Sequence, residues 1–136
     1  MKKQCIVIGL GIYGMSVAKR LSEEGMDVLA IDKNMRLVEK ASEFATKAIC
    51  LEINSLDSLE HLPLDDFDVA VVGIGEDIAV NLLTCLALKD TKIPKIISKA
   101  GSKMHRRVLE KINIDEIILP EEDLAFVTAR RILNNK

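Results

Sequence analysis

Short apolar runs alternate with segments of mixed polarity along the whole chain. The runs are continuously aliphatic, as in Val69-Ala70-Val71-Val72, which is typical of parallel strands buried on both faces. They predict strands at 4–8, 26–31, 47–51, 68–73, 94–98 and 115–119. The segments between them predict helices at 12–24, 34–43, 55–61, 77–89 and 103–112, followed by a last helix at 122–133.

This alternation predicts an α/β fold, a doubly wound sheet of six parallel strands. A Rossmann-like strand order of 3-2-1-4-5-6 places a ligand crevice at the switch point beside the first strand. No linker or low-complexity segment divides the chain, so residues 1–136 are expected to form one domain.

The last helix carries apolar residues on more than one face, whereas a helix that covers one sheet needs a single apolar stripe. Two interpretations stay open. Either the helix frays with Phe126 tucked under the sheet, or its second face packs on a partner.

A glycine motif, Gly9-Leu10-Gly11-Ile12-Tyr13-Gly14, directly follows the first apolar run. Asp32 ends the second run, 21 positions after Gly11. Strand, glycine motif, helix and acid together match the fingerprint of a dinucleotide-binding loop. In this interpretation the phosphates lie at the helix N-terminus, and Asp32 accepts hydrogen bonds from ribose hydroxyls.

A chance glycine triplet and a signal peptide that begins at Lys2-Lys3 are the alternatives for this segment. The strand–helix–strand–acid context disfavours the chance triplet. Three glycines interrupt the apolar stretch, and Lys19 and Arg20 continue a helical pattern, which disfavours the signal peptide.

Further candidates for nucleotide contact follow other strands at the same edge of the sheet. Gly73-Ile74-Gly75 ends the fourth strand and leaves room for a ribose or an adenine, unless it is only a turn. Lys99 can meet a phosphate or lie on the surface, and Glu52 can accept from an adenine amino group. Lys33, next to Asp32, and Ile53, next to Glu52, complete the predicted binding set.

Composition excludes several classes of protein. A net charge of −2 and an aromatic content of 3% disfavour nucleic-acid binding. No apolar run is long enough for a membrane span, so no direct membrane insertion is expected. Cys5, Cys50 and Cys85 fall in apolar patterns and are expected to be reduced core residues of a cytoplasmic protein.

Catalytic candidates are few, so the chain is not expected to be an enzyme. Tyr13 has no lysine four residues on, His61 is expected to be exposed, and His105 is expected on a solvated basic helix face. Asp65-Asp66-Phe67-Asp68 can hold an acid/base pair or a metal, but a plain turn accounts for it better.

With these residues in view, nearly the whole chain resembles the N-terminal RCK domain (regulator of potassium conductance) of Ktr/Trk-type potassium-transport regulatory subunits. The glycine motif and Asp32 carry the resemblance together with four later segments: Val72-Gly73-Ile74-Gly75-Glu76-Asp77, Ile97-Ser98-Lys99-Ala100, Val108-Leu109-Glu110-Lys111-Ile112 and Ile118-Leu119-Pro120-Glu121-Glu122-Asp123.

The resemblance implies a cytoplasmic regulator that binds ATP, ADP or NAD(H) and performs no chemistry. It implies dimers, and rings of dimers, seated on a membrane potassium-translocating subunit that nucleotide exchange gates. It further implies that the last helix crosses to a neighbouring protomer. Glu121 becomes the one metal candidate, facing the partner's nucleotide phosphates through a divalent cation. The C-terminal ligand-sensing domain that commonly follows is expected to be absent.

Two positions depart from the family pattern. Ile12 stands where close relatives often carry an arginine for the terminal phosphate of ATP, which leaves NAD(H), ADP or AMP open. Strand 3 ends in Glu52-Ile53-Asn54 rather than in an Asp or Asn, a small residue and Thr.

The alternatives to a regulator of potassium transport are an NAD-dependent oxidoreductase fragment without its substrate domain and a nucleotide-binding structural protein with no transporter.

Overall fold

The computed structural model describes residues 2–135, which form one sheet of six parallel strands. The strand order is 3-2-1-4-5-6, as the sequence predicts. All five neighbouring pairs are parallel. The strands are β1 (Gln4–Ile8), β2 (Asp27–Asp32), β3 (Lys47–Cys50), β4 (Val69–Val72), β5 (Lys95–Lys99) and β6 (Glu116–Ile118).

Five α-helices connect and follow these strands: α1 (Ile12–Glu23), α2 (Met35–Ala41), α3 (Ile78–Lys89), α4 (Lys103–Lys111) and α5 (Pro120–Asn134). A short 3-10 helix spans Leu64–Asp66. Three of the helices begin with a side-chain cap, because Asn34, Asp77 and Ser102 each accept a hydrogen bond from a first-turn backbone amide.

The predicted helix at 55–61 is wrong, because this segment is a series of turns. The Ser58 hydroxyl accepts hydrogen bonds from the backbone amides of Asn54 and Ser55, and Ser55 in turn accepts from the amide of Asp57. Short polar side chains that bond to nearby backbone compete with helix formation in this way.

The two faces of the sheet bury separate clusters of apolar residues. Alternate β1 residues point to opposite faces, so Ile6 and Ile8 join one cluster, with α3 and α4. Cys5 and Val7 join the other cluster, with α1 and α2. The central strands are therefore covered on both sides, which explains why their sequences are continuously apolar.

Helix α5 buries none of its residues against the rest of the chain. It begins at Pro120, two positions earlier than predicted, because proline is tolerated in the first helical turn. Phe126 is 64% exposed, so the interpretation in which it tucks under the sheet is wrong.

The three cysteines do not share one environment. Cys5 and Cys85 are buried, and burial raises their thiol pKa values to about 12 and about 11. Cys50 is exposed, contrary to the expectation of a core residue, because β3 is an edge strand.

Within residues 2–135 no helix combines the length and the apolar character that a membrane crossing requires.

Candidate functional site

A cavity of about 560 Å³ opens at the carboxyl edge of the sheet, where the chain leaves β1 and β4 in opposite directions. Its volume lies in the range of small-molecule and cofactor sites. The lining combines both glycine loops with residues that follow β2, β3 and β5. It comprises Ile8, Gly9, Leu10, Gly11, Ile12, Ile31, Asp32, Lys33, Leu37, Leu51, Glu52, Ile53, Gly73, Ile74, Gly75, Glu76, Asp77, Val80 and Lys99.

Two glycines of the first loop serve packing inside the protein. Gly9 has a φ of +99°, a conformation that side chains rarely adopt. A Cβ on Gly14 would overlap the carbonyl oxygen of Gly9, so only glycine lets α1 approach the loop this closely. Gly14 therefore shapes the site without lining it.

Gly11 is different, because the protein itself does not require glycine there. Its φ of −67° suits any residue, and a Cβ placed on it would meet no atom within 4 Å. Gly11 is exposed and lines the cavity, so this Cβ would occupy open space. Gly11 is also the N-cap of α1 and provides no side-chain cap, so first-turn amides stay available to an anion. The loop thus fits a pyrophosphate.

Asp32 holds the first loop in place from the end of β2. Its Oδ2 accepts from the Leu10 amide at 2.7 Å, and its Oδ1 accepts from the Asn34 amide at 2.8 Å. A carboxylate has about four acceptor sites, so two remain for further donors such as ribose hydroxyls. The side chain can support the loop and a ligand at once.

The second glycine loop packs more tightly than the sequence suggests. A Cβ on Gly73 would lie 2.7 Å from the Gly9 carbonyl oxygen, and one on Gly75 would lie 2.8 Å from Cε of Lys99. These small residues therefore bring the two loops and the Lys99 side chain together, besides bordering the cavity.

Twelve of the fourteen residues predicted to contact the nucleotide line this cavity. They are Gly9, Leu10, Gly11, Ile12, Asp32, Lys33, Glu52, Ile53, Gly73, Ile74, Gly75 and Lys99. Tyr13 and Gly14 are not in the lining: Tyr13 packs against the apolar cluster under α1 and α2, and Gly14 is buried against the Gly9 carbonyl. Burial, together with the nearby carboxylates of Glu116 and Asp123, raises the pKa of Tyr13.

The sequence did not predict the remaining lining residues, although some of them carry a local signal. Glu76 and Asp77 directly follow the second glycine loop, so their position at the carboxyl edge of the sheet could have been predicted. Leu37, on α2, and Val80, on α3, face the cavity only through helix packing, which no local pattern marks.

The acidic turn before β4 has structural partners. Asp65 accepts from the Lys92 amide at 2.9 Å, and Asp68 accepts from the Gln4 amide at 2.7 Å. These bonds join the turn to the start of β1 and to the segment before β5, which supports the plain-turn interpretation.

His105 is buried, so the expectation of a solvated position is wrong. Helix α4 is strongly amphipathic, and His105 lies on its inner face while the arginines that follow it stay exposed. Its Nδ1 accepts from the Gly101 amide at 2.9 Å, and its Nε2 lies 2.8 Å from Oδ1 of Asn81. These partners fit the neutral ring protonated at Nε2, and desolvation lowers the pKa of His105.

Glu121, the metal candidate, lies exposed in the first turn of α5. Within residues 2–135 no three His, Cys, Asp or Glu side chains lie close enough together to hold a metal ion. A cation at Glu121 would need ligands from outside this set.

Comparison with known proteins gives the family. The model of the TrkA-N domain matches residues 5–120. "Ktr system potassium uptake protein C" of Bacillus subtilis (strain 168) is 40% identical over 135 residues, which cover 99% of this chain and 61% of that protein. The chain thus spans about three fifths of this curated relative.

Solved structures show the same fold at low identity. The NAD(P)-binding domain of an exopolyphosphatase-related protein from Archaeoglobus fulgidus superposes with a TM-score of 0.81 at 20% identity, covering 96% of this chain and 98% of that one. The GsuK channel bound to NAD gives 0.72 at 12% identity, over 88% of this chain and 22% of the channel.

Proposed function

The chain belongs to the TrkA-N domain family, and we propose that it is the nucleotide-binding domain of a regulatory subunit of a potassium uptake system. One observation carries the proposal. The 560 Å³ cavity at the switch point is lined by both glycine loops and Asp32, and it leaves Gly11 open to a ligand. The Ktr potassium uptake relatives supply the biological setting.

The proposed ligand is an adenine nucleotide, NAD(H) or one of ADP, ATP and AMP. The amides after Gly11 would hold the phosphates, and Lys99 would add a positive charge beside them. Asp32 would accept from the ribose, and Glu52 would accept from the adenine amino group. Structures of GsuK bound to NAD and to ADP support both ligand classes for this fold.

We propose that the nucleotide is bound without being chemically changed. Groups with strongly shifted pKa values cluster at catalytic sites. Within residues 2–135 the groups whose pKa values clearly shift are Cys5, Tyr13, Cys85 and His105, and none of these four lines the cavity. This placement favours a regulator over the alternative, an NAD-dependent oxidoreductase fragment.

The proposed assembly is a dimer, extended to a ring of dimers, on the cytoplasmic face of a membrane potassium-translocating subunit. Helix α5 supports it, because an exposed apolar stripe of this kind is an association site. Its large apolar side chains are all exposed: Leu124, Phe126, Val127, Ile132 and Leu133. We propose that α5 packs on a second copy. Glu121 would then share a divalent cation with that copy's nucleotide phosphates.

Calorimetric titration with ATP, ADP, AMP, NAD⁺ and NADH tests the ligand proposal. We expect at least one of them to bind, and incubation to leave the absorbance of NADH unchanged. Gly11→Val serves as the control, because a side chain there occupies the path of the phosphates. Absence of binding by all five would refute the proposal, and steady loss of NADH absorbance would favour the oxidoreductase alternative.

A further inference from the structure

Behind the second glycine loop lies a buried polar cluster that the proposed function does not use. It consists of Asn81 on α3, Ser98 on β5 and His105 on α4, which are at most 1% exposed. Burying polar side chains costs free energy of folding unless all their donors and acceptors are hydrogen-bonded. A cluster of this kind therefore calls for a functional explanation.

Asn81 is the centre of the cluster. Its Nδ2 donates to the Ile74 carbonyl at 2.7 Å and to the Ser98 hydroxyl at 3.0 Å, with the Lys99 carbonyl at 3.1 Å. Carbonyl oxygens only accept, so the amide nitrogen must face the loop. The amide oxygen then faces His105, whose Nε2 lies 2.8 Å away.

The bond to Ile74 determines which way the next peptide group points. The carbonyl of Ile74 and the amide of Gly75 belong to one trans peptide, so they project in opposite directions. With the carbonyl held inward by Asn81, the Gly75 N–H points away from α3. Gly75 lines the cavity, and within residues 2–135 its N–H donates to no protein acceptor.

We propose that Asn81 is a positioning residue for the nucleotide: it fixes the Ile74–Gly75 peptide so that the Gly75 N–H donates to the ligand. His105 keeps the Asn81 amide in this orientation, because its other nitrogen is anchored by the Gly101 amide at 2.9 Å. This inference rests on the proposed nucleotide binding, and it adds α4 to the elements that determine affinity.

Asn81→Asp is the sharpest perturbation, because the aspartate has the same size and still accepts from His105. It replaces the donor to Ile74 with a second acceptor, which turns the peptide away. We expect affinity for ADP and NADH to fall about tenfold or more. Thr84→Val is the matched control: Thr84 is equally buried one turn further along α3, but its hydroxyl bonds only within the helix, to Val80. Its affinity should stay within about twofold of the parent.

His105 offers a rescue experiment. His105→Leu removes the ring donor to the Asn81 oxygen and leaves it only the weak thiol donor of Cys85 at 3.7 Å, so binding should weaken. His105→Gln can donate to that oxygen and should recover most of the affinity. A merely structural histidine would lose thermal stability in both variants with no matching change in affinity.

The amide resonance of Gly75 reports the proposed contact directly. In ¹⁵N–¹H spectra of the whole chain, saturation with ADP or NADH should move this resonance, and the shift should be lost in Asn81→Asp. If the parent binds and the Gly75 resonance does not move, the inference is overturned while the proposed function stands. If Asn81→Asp does not fold, the parent spectrum and the His105 pair decide. If the parent binds no nucleotide, both proposals fail.

Discussion

Gly11 and Gly14 lie three residues apart in one motif, yet the structure predicts opposite consequences for the same substitution. A Cβ at Gly11 meets nothing within 4 Å, whereas one at Gly14 overlaps the backbone oxygen of Gly9. Gly11→Ala should therefore impair ligand binding and spare the fold. Gly14→Ala should damage the fold first.

The magnitudes follow from the local geometry. At Gly11, alanine is a poorer N-cap by about 0.5–1 kcal/mol, and the lower entropy of the unfolded chain offsets about the same amount. The net change in the free energy of unfolding is therefore about zero. At Gly14, overlap with rigid backbone costs about 3 kcal/mol, and the better helix propensity of alanine offsets about 1 kcal/mol.

Thermal melting and calorimetric titration separate the two effects. A domain of this size loses about 3–4 °C per kcal/mol, so Gly14→Ala should lower the Tm by about 7 °C. Gly11→Ala should melt within about 2 °C of the parent and bind its nucleotide about tenfold more weakly, and Gly11→Val should weaken binding further. If Gly11→Val binds like the parent, the phosphates do not pass Gly11 and the crevice assignment is wrong. If Gly11→Ala melts as low as Gly14→Ala, its weaker binding reflects a damaged loop.

Asp32→Ala removes the acceptor of the Leu10 amide as well as the proposed ribose contacts. Nucleotide binding should therefore weaken by about 1.5–3 kcal/mol per lost charged hydrogen bond. An unchanged calorimetric affinity would exclude a role of Asp32 in binding. Ile12 is 92% exposed and carries no charge, so ATP should exceed ADP in affinity by no more than about tenfold, and a hundredfold preference would require another cation. Light scattering should give at least a dimer for the whole chain and a lower oligomeric state for a version that ends at Pro120. A monomeric parent, or an unchanged number of subunits after truncation, contradicts assembly through α5. The pKa of His105 is below its ordinary value of about 6.5 in the folded chain, so as the pH falls below 6.5 the unfolded chain takes up the proton first and the free energy of unfolding decreases. Urea titrations should show this loss in the parent and in the exposed-site control His61→Gln, and a weaker one in His105→Gln; equal pH dependence in all three would refute it.

The strands and the glycine loop could be predicted from the sequence because their physical causes are local. Parallel strands covered on both faces must be apolar throughout, and a tight turn into a helix requires glycine at fixed spacing. The order 3-2-1-4-5-6 is the arrangement in which this glycine fingerprint typically occurs, and the crevice at the switch point follows from that order. Most residues of the candidate site were consequently predictable as the ends of strands.

The errors at Cys50 and His105 arose because the environment of each residue depends on distant partners. The error at 55–61 arose locally, because Ser55 and Ser58 bond to nearby backbone in a segment whose composition is compatible with a helix. Cys50 looked like a core residue because its strand is apolar, yet only the sheet order places β3 at an edge. His105 sits among cationic residues in sequence, but the packing of α4 turns it inward.

The amino-acid sequence by itself determined the fold class and the elements that border the crevice, because periodicity and glycine spacing are properties of neighbouring residues. The family was identified by the resemblance of its motifs to those of known proteins. Only the tertiary structure decided what each group does there. Asn81 reaches His105 across 24 positions of sequence, and Gly73 meets Gly9 because two strands lie side by side. Such contacts depend on how close two elements pack, a distance that no local pattern encodes.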